Sequence, residues 1–276
     1  MKILLTGANG YIGMRLLPLL LDQGHQVVCS VRDANRLSIS EDLKKQIEIV
    51  VIDFLNPVTP NALPKDIEAA YYLIHSMSSS TSDFDAKEER AVKNFNTYLE
   101  PTNCKQVVYV GGIANEKSLS KHLWSRKNVE NILYQGSAAV TVLRAAIIVG
   151  SGSASFEIIR DLCEKLPIMV TPRWVKTKCQ PIAIRDVLNY LTGVLGNKEC
   201  YNESFDIGGP DVLSYREMME GYARFRKLNL SIVTLPFLSP KLSSYWLYFV
   251  TSTSYKLALN LVDSMRIEVI TSDTRL

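Results

Sequence analysis

The chain has 276 residues, 47% of them hydrophobic and 21% charged, with a net charge of only +3. That length accommodates one large α/β domain and a smaller lobe, and the composition excludes disorder on a large scale. Lys and Arg are spread along the whole chain, which argues against a nucleic-acid surface, because that needs a clustered basic stripe.

In chain order, residues 2–5 read as a strand and residues 13–21 as a helix closed by Gly24. Pro18 removes one bond inside that helix and predicts a kink, which burial of the flanking Leu16, Leu17, Leu19, Leu20 and Leu21 offsets. Strands follow at 27–31, 47–52, 70–74 and 106–110, and another runs from 140–143 towards Val149. Helical patterns at 83–99 and 120–134 lie between them. Such alternation means βαβ units and a parallel sheet buried on both faces. Right-handed crossovers make it doubly wound. The expected fold class is α/β: a Rossmann-like doubly wound parallel sheet with helices on both faces and a smaller C-terminal substrate lobe. The first domain spans 1–150, with strands near 181–187 and 204–208 returning to it. The second, partly interleaved lobe spans 151–276, with a loop at 151–155 and helices at 156–166, 185–194 and 215–227. A serine-rich loop at 78–82 follows the fourth strand. Glu88 and Glu89, beside Lys87 and Arg90, read as a solvated helix face. The aromatic tail with Tyr245, Trp246, Tyr248 and Phe249 reads as a core or lid of the second lobe.

Cys29, Cys104, Cys163, Cys179 and Cys200 lie far apart and form no C-x-x-C pair, so they read as reduced thiols of a cytoplasmic protein. His25, His75 and His122 stand at no metal-ligand spacing, so no metal is expected. The N-terminus does not read as a signal peptide, and no apolar run reaches the roughly 18 residues of a transmembrane helix. The expected partner is a small molecule, to a monomer or homodimer.

The densest signal is Thr6-Gly7-Ala8-Asn9-Gly10-Tyr11-Ile12-Gly13, placed between the first strand and the first helix. Gly7 permits the tight turn, Gly10 lets backbone approach a pyrophosphate, and Gly13 lets helix and strand pack closely. Amides near Tyr11 and Ile12, at the positive end of the helix dipole, face the phosphates. The motif therefore predicts a dinucleotide. An NAD site places an acid at the end of the second strand, but here that strand ends in Val31-Arg32, and Asp33 follows. Arg32 suits the 2′-phosphate of NADP. NAD stays possible if Asp33 serves the ribose and Arg32 is a solvated loop residue.

These residues resemble the short-chain dehydrogenase/reductase superfamily, whose extended and atypical members carry T-G-x-x-G-x-x-G. The likeness covers roughly residues 1–230. It implies that Asp53, with Phe54, meets the adenine after the third strand. It implies that Leu73, Ile74, His75 and Ser76 pass the nicotinamide ribose. Val107 to Gly112 resembles the strand that delivers the family's catalytic serine. Leu143-Arg144-Ala145, Pro181 to Val187, and Phe205 to Gly209 resemble late motifs of epimerase/dehydratase relatives.

The family's catalytic device is Tyr-x-x-x-Lys with an upstream Ser, in which the tyrosine is the general acid/base. Anchoring on Glu130 sets Arg126 at the lysine position and His122 at the tyrosine position, and Gly111 or Gly112 stands for the serine. His122 is then a candidate proton donor, with His75 as a substitute, and Arg126 a candidate holder of the ribose. The competing reading leaves His122 and Arg126 on a helix surface, with Arg126 pairing Glu130 at i, i+4. Ser125 lacks a paired His and Asp, so nucleophilic catalysis is not supported. The resemblance implies an NADP(H)-dependent oxidoreductase acting on a small carbonyl compound. The altered triad keeps a dinucleotide-sensing protein open as an alternative, and a sugar-nucleotide epimerase is the weaker one.

Overall fold

The computed structural model describes residues 1–74, 84–113, 121–235, 265–273 and 275. The serine-rich loop at 78–82 and the aromatic residues at 245–249 lie outside them.

β1 (Lys2–Thr6) opens the chain and is followed by α1 (Gly13–Asp22), β2 (Gln26–Val31), the single turn α2 (Glu41–Lys44), β3 (Ile47–Val51) and β4 (Ala69–Tyr72). Then come α3 (Phe84–Leu99), β5 (Gln106–Gly112), α4 (Lys121–Leu133), β6 (Ala139–Ala145) and β7 (Ile148–Val149). The remainder is α5 (Ala154–Lys165), β8 (Ile168–Thr171), β9 (Lys178–Cys179), β10 (Ile182–Ala183), α6 (Ile184–Gly193), β11 (Ser204–Ile207), β12 (Leu213–Ser214), α7 (Tyr215–Arg226) and β13 (Ser231–Thr234).

Seven strands form the central sheet in the order β11-β6-β5-β4-β1-β2-β3. β1 pairs in parallel with β2 and β4, β2 with β3, and β4 with β5. Ile3, Leu4, Leu5 and Thr6 have no exposed surface, as expected of a strand covered on both faces. Strand order reverses between β1 and β4, and such a switch point opens a crevice at the carboxyl ends of the strands.

The chain divides into two compact units. The first comprises Met1–Gly112, Ser125–Arg144 and Arg185–Phe205, and the second Ile113–Trp124, Ala145–Ile184 and Asp206–Leu276. In the first, Pro18 lies inside α1 without ending it. Its lost bond costs up to about 3 kcal/mol. Leu16, Leu17 and Leu20, all fully buried, each return roughly 2 kcal/mol or more. Gln106 shows why a polar residue opens a buried strand. Its amide nitrogen donates to Thr141 Oγ1 (2.8 Å) and the Val194 carbonyl (2.9 Å), and its oxygen accepts from Gly196 N–H (2.7 Å).

The second unit builds its own core from Ile158, Leu162, Met169, Trp174, Tyr215, Met219 and neighbours. β13 pairs in parallel with β8, β12 is antiparallel to β9, and a capping box of Ser214 and Glu217 starts α7. The strand expected near 181–187 does not join the central sheet: Ile182–Ala183 pairs with β7 apart from it, and α6 begins at the next residue. Likewise β6 ends at Ala145 instead of continuing to Val149.

Candidate functional site

The turn after β1 is shaped by what it cannot hold. Gly7 has φ +64°, and a Cβ there would stand 2.6 Å from the Leu73 carbonyl oxygen. A Cβ on Gly13 would stand 2.3 Å from the Gly7 carbonyl oxygen, which already accepts from Gly10 N–H at 2.8 Å. No side chain caps α1 at Ile12, so the helix presents its amino end without a covering group. Thr6 is wholly buried; its hydroxyl donates to the Tyr71 carbonyl (2.9 Å) and accepts from Leu73 N–H (3.1 Å). It thus fixes β1 to β4 at the switch point. The Arg15 guanidinium lies 4.0 Å over the Tyr11 ring, and Arg15 also donates to the Tyr11 carbonyl at 3.0 Å.

Beside the turn is a cleft of about 230 Å³. Gly7, Asn9 and Gly10 form one wall, Ser30, Val31 and Arg32 a second, and Ile52 to Leu55 a third, with Leu73, Ile74 and Ala91 completing it. Of the expected site residues, the cleft therefore gathers Gly7, Asn9, Gly10, Arg32, Asp53, Phe54 and Ile74. Thr6, Tyr11, Ile12 and Gly13 belong to the turn's framework and are not in the cleft lining. His75 and Ser76 lie outside the described residues.

Arg32 is exposed and is the first residue after β2. Asp33 is used locally: its Oδ1 accepts from Asn35 N–H at 3.0 Å and caps the short 3₁₀ turn Ala34–Arg36. Asp53 Oδ1 accepts from Leu55 N–H at 3.0 Å. From α3, the Asn94 amide donates to the carbonyls of Phe54 (2.7 Å) and Asn56 (2.9 Å), pinning this loop. Phe54 is a core residue as well as a wall, set edge-on to Phe95 (5.8 Å) and Tyr98 (5.5 Å). Leu73, expected beside Ile74, is in the lining too, whereas Ser30, Leu55 and Ala91 were missed by sequence reasoning. For Ser30 a signal existed, because residues two apart on a strand share a face with each other, and Arg32 was already marked. Ala91 reaches the cleft from a distant helix, which no local pattern reports.

The candidate catalytic residues fall on α4. His122 is in that helix, and its side chain lies outside the described residues. Arg126 reaches back to β5, where Nη1 donates to the Val110 carbonyl at 3.1 Å and lies 3.5 Å from Tyr109 Oη. Tyr109 Oη donates to the Arg126 backbone carbonyl at 3.3 Å. The expected pairing of Arg126 with Glu130 is replaced. Glu130 accepts instead from Arg144 through Nε (3.1 Å) and Nη2 (2.7 Å), and from Lys127 at 2.6 Å. The Arg144 fork matches the carboxylate at two points, which a neighbour on the same helix cannot do as well. Burial pushes the Glu130 carboxyl upward, yet the bonds from Arg144 and Lys127 outweigh it and hold its pKa below the ordinary range.

A second correction concerns Glu88. It is 7% exposed and not on a solvated face, and it accepts from the buried Ser125 Oγ at 2.7 Å. A Cβ on Gly111, one of the two glycines that stand for the serine, would meet nothing closer than Tyr109 Cε1 at 3.4 Å. Glycine there is a chemical absence and not a steric need. Burial pushes the thiols of Cys29, Cys104, Cys163 and Cys179 up to about 12, which rules them out as thiolate nucleophiles near neutral pH. Among the described residues, no helix is long and apolar enough to cross a membrane.

Comparison with known proteins gives this geometry a context. The NAD(P)H-binding family matches residues 7–152, more than half of the chain. No curated protein matches the sequence. Among solved structures, UDP-glucuronic acid 4-epimerase from Bacillus cereus, in complex with NAD, is 18% identical with a TM-score of 0.71 and covers 96% of both chains. An NADPH-dependent quinone oxidoreductase from Escherichia coli, complexed with NADPH, is 15% identical with a TM-score of 0.73, over 96% of this chain and 88% of that one. Triphenylmethane reductase from Citrobacter sp. is 16% identical with a TM-score of 0.74, over 96% of this chain and 89% of that one. At these identities the likeness is one of fold, and that fold is the one expected of short-chain dehydrogenase/reductase relatives.

Proposed function

The chain belongs to the NAD(P)H-binding family, and from that premise we propose that it holds NADP(H) and passes hydride to a small carbonyl-type acceptor, quinones foremost. The observation that carries the cofactor choice is the contrast at the end of β2. Arg32 lines the cleft, whereas the Asp33 carboxylate is committed to its own turn. A guanidinium at that place pairs with a 2′-phosphate, and the acid that would favour unphosphorylated ribose is engaged elsewhere.

The residues present fit such a cofactor. The turn around Gly7 and Gly13 has no room for a Cβ, so bare backbone meets the pyrophosphate. The presence of Asp53 beside Phe54 in the cleft supports its assignment to the adenine amino group. Arg126 is tied to β5 through the Val110 carbonyl. When bound, the nicotinamide supplies the hydride.

The substrate class follows from the loss of the family's tyrosine and serine, whose positions carry His122 and a glycine. Reduction of a simple aldehyde or ketone builds an alkoxide, which needs a placed acid. A quinone accepts hydride and draws its proton from water, and NADPH, a proton and quinone balance NADP⁺ and hydroquinone. Gly111 offers no hydroxyl, which suits an acceptor of this kind. Two proteins that share the fold are named for acting on quinones and on triphenylmethane dyes, which supports this reading.

The test is to mix the protein with NADPH and a panel of quinones, aldehydes and ketones and follow absorbance of the reduced nicotinamide. Quinones are expected to be consumed fastest. Saturable NADPH binding with no oxidation across the panel would instead favour the second reading, a dinucleotide-sensing protein, which the missing hydroxyl at Gly111 also permits.

A further inference from the structure

Ser30 and Thr6 sit opposite each other in the register of β1 and β2, level with the start of the glycine turn. Their hydroxyls differ in one respect. Thr6 Oγ1 is fully used within the sheet. Ser30 is only 3% exposed, and its Oγ is buried with no hydrogen-bond partner. Leaving a buried hydroxyl unpaired costs folding free energy, and cores place an apolar residue there at no such cost. Cys29, the preceding residue, is wholly buried, whereas Ser30 lines the cleft together with Gly7, Asn9 and Arg32. Ser30 and Arg32 are two residues apart at a strand end, so their side chains leave the same face of the sheet.

We propose that Ser30 is a specificity-determining residue whose hydroxyl donates to the 2′-phosphate of the adenosine end, beside the Arg32 guanidinium. This rests on the NADP reading above. An anion binds best where a cation and a neutral donor meet it together, and a serine hydroxyl rotates to supply that donor. The orphaned oxygen is thus a group whose partner is the ligand.

Ser30→Ala removes only that oxygen, so the fold survives it. Two probes isolate the adenosine end: 2′,5′-ADP carries the 2′-phosphate, and 5′-AMP does not. In wild-type protein, 2′,5′-ADP should bind the tighter. In Ser30→Ala its affinity should fall about tenfold, the scale of a lost hydrogen bond to a charged group. Affinity for 5′-AMP should stay within about twofold, because the bond it lacks is the one removed. The melting temperature of the ligand-free variant should equal or exceed that of wild type, which a merely structural hydroxyl would not allow. Unchanged 2′,5′-ADP affinity, equal losses for both probes, or a lower ligand-free melting temperature would overturn the role given to Ser30. A wild-type protein that binds both probes equally would overturn the NADP reading, and this inference with it.

Discussion

Gly13→Ala should leave a weakened protein that binds a nicotinamide dinucleotide far less tightly. The added methyl would stand 2.3 Å from the Gly7 carbonyl oxygen and 2.9 Å from Ala8 Cα, both backbone atoms. Neither can rotate aside. The Gly7 carbonyl also accepts from Gly10 N–H at 2.8 Å, so moving it undoes the turn from inside. Overpacking of this kind costs roughly 1–3 kcal/mol of stability. The effect on binding is larger, because the displaced backbone is itself the phosphate cradle. Affinity for NADPH should drop by at least about a hundredfold, close to 3 kcal/mol. Gly221→Ala is the control, since nothing lies within 4 Å of a Cβ there. Thermal melts and NADPH titrations of both variants check this. Wild-type affinity in Gly13→Ala would show that the turn is not where the diphosphate sits.

Arg32→Ala should separate the two cofactors. Arg32 is exposed, so its removal costs the fold little. Its lost charge-assisted bonds to a 2′-phosphate amount to roughly 3 kcal/mol, or a hundredfold in NADPH affinity. NADH has no such phosphate and should change by no more than about threefold. Asp33 is held by Asn35 N–H and is not freed by the change, so no gain of NADH binding is expected. Equal losses for the two cofactors would move Arg32 off the 2′-phosphate and return the choice to Asp33.

Much of the first unit was legible because its signals are local. Strand, glycine turn and helix follow within the first 22 residues, and the expected helix at 13–21 is the observed Gly13–Asp22. The expected helices at 83–99 and 120–134 are observed as Phe84–Leu99 and Lys121–Leu133. Periodicity reports an element whenever one face is buried against its neighbours in sequence. It does not report partners brought in from far away. Glu88 looked like part of a charged, solvated run, yet the chain returns Ser125 to it 37 residues later. Glu130 pairs with Arg144, and not with Arg126 as the competing reading has it, for the same reason: the better-shaped fork comes from a strand, β6. The pairing of Ile168–Thr171 with Ser231–Thr234 joins segments far apart in the chain and left no mark on either. At the site, glycines and Arg32 carried type-specific chemistry and could be read directly. For Ser30 only its place two residues before Arg32 was legible; that its hydroxyl is buried and unpartnered was not.

The central claim is that the cleft beside the glycine turn is an NADP(H) site. Titrating the wild-type protein with NADPH and with NADH, each followed by the fluorescence of its own reduced nicotinamide, addresses it without any variant. The account expects saturable binding of both, with NADPH tighter by at least about tenfold. No binding of either one would contradict it outright.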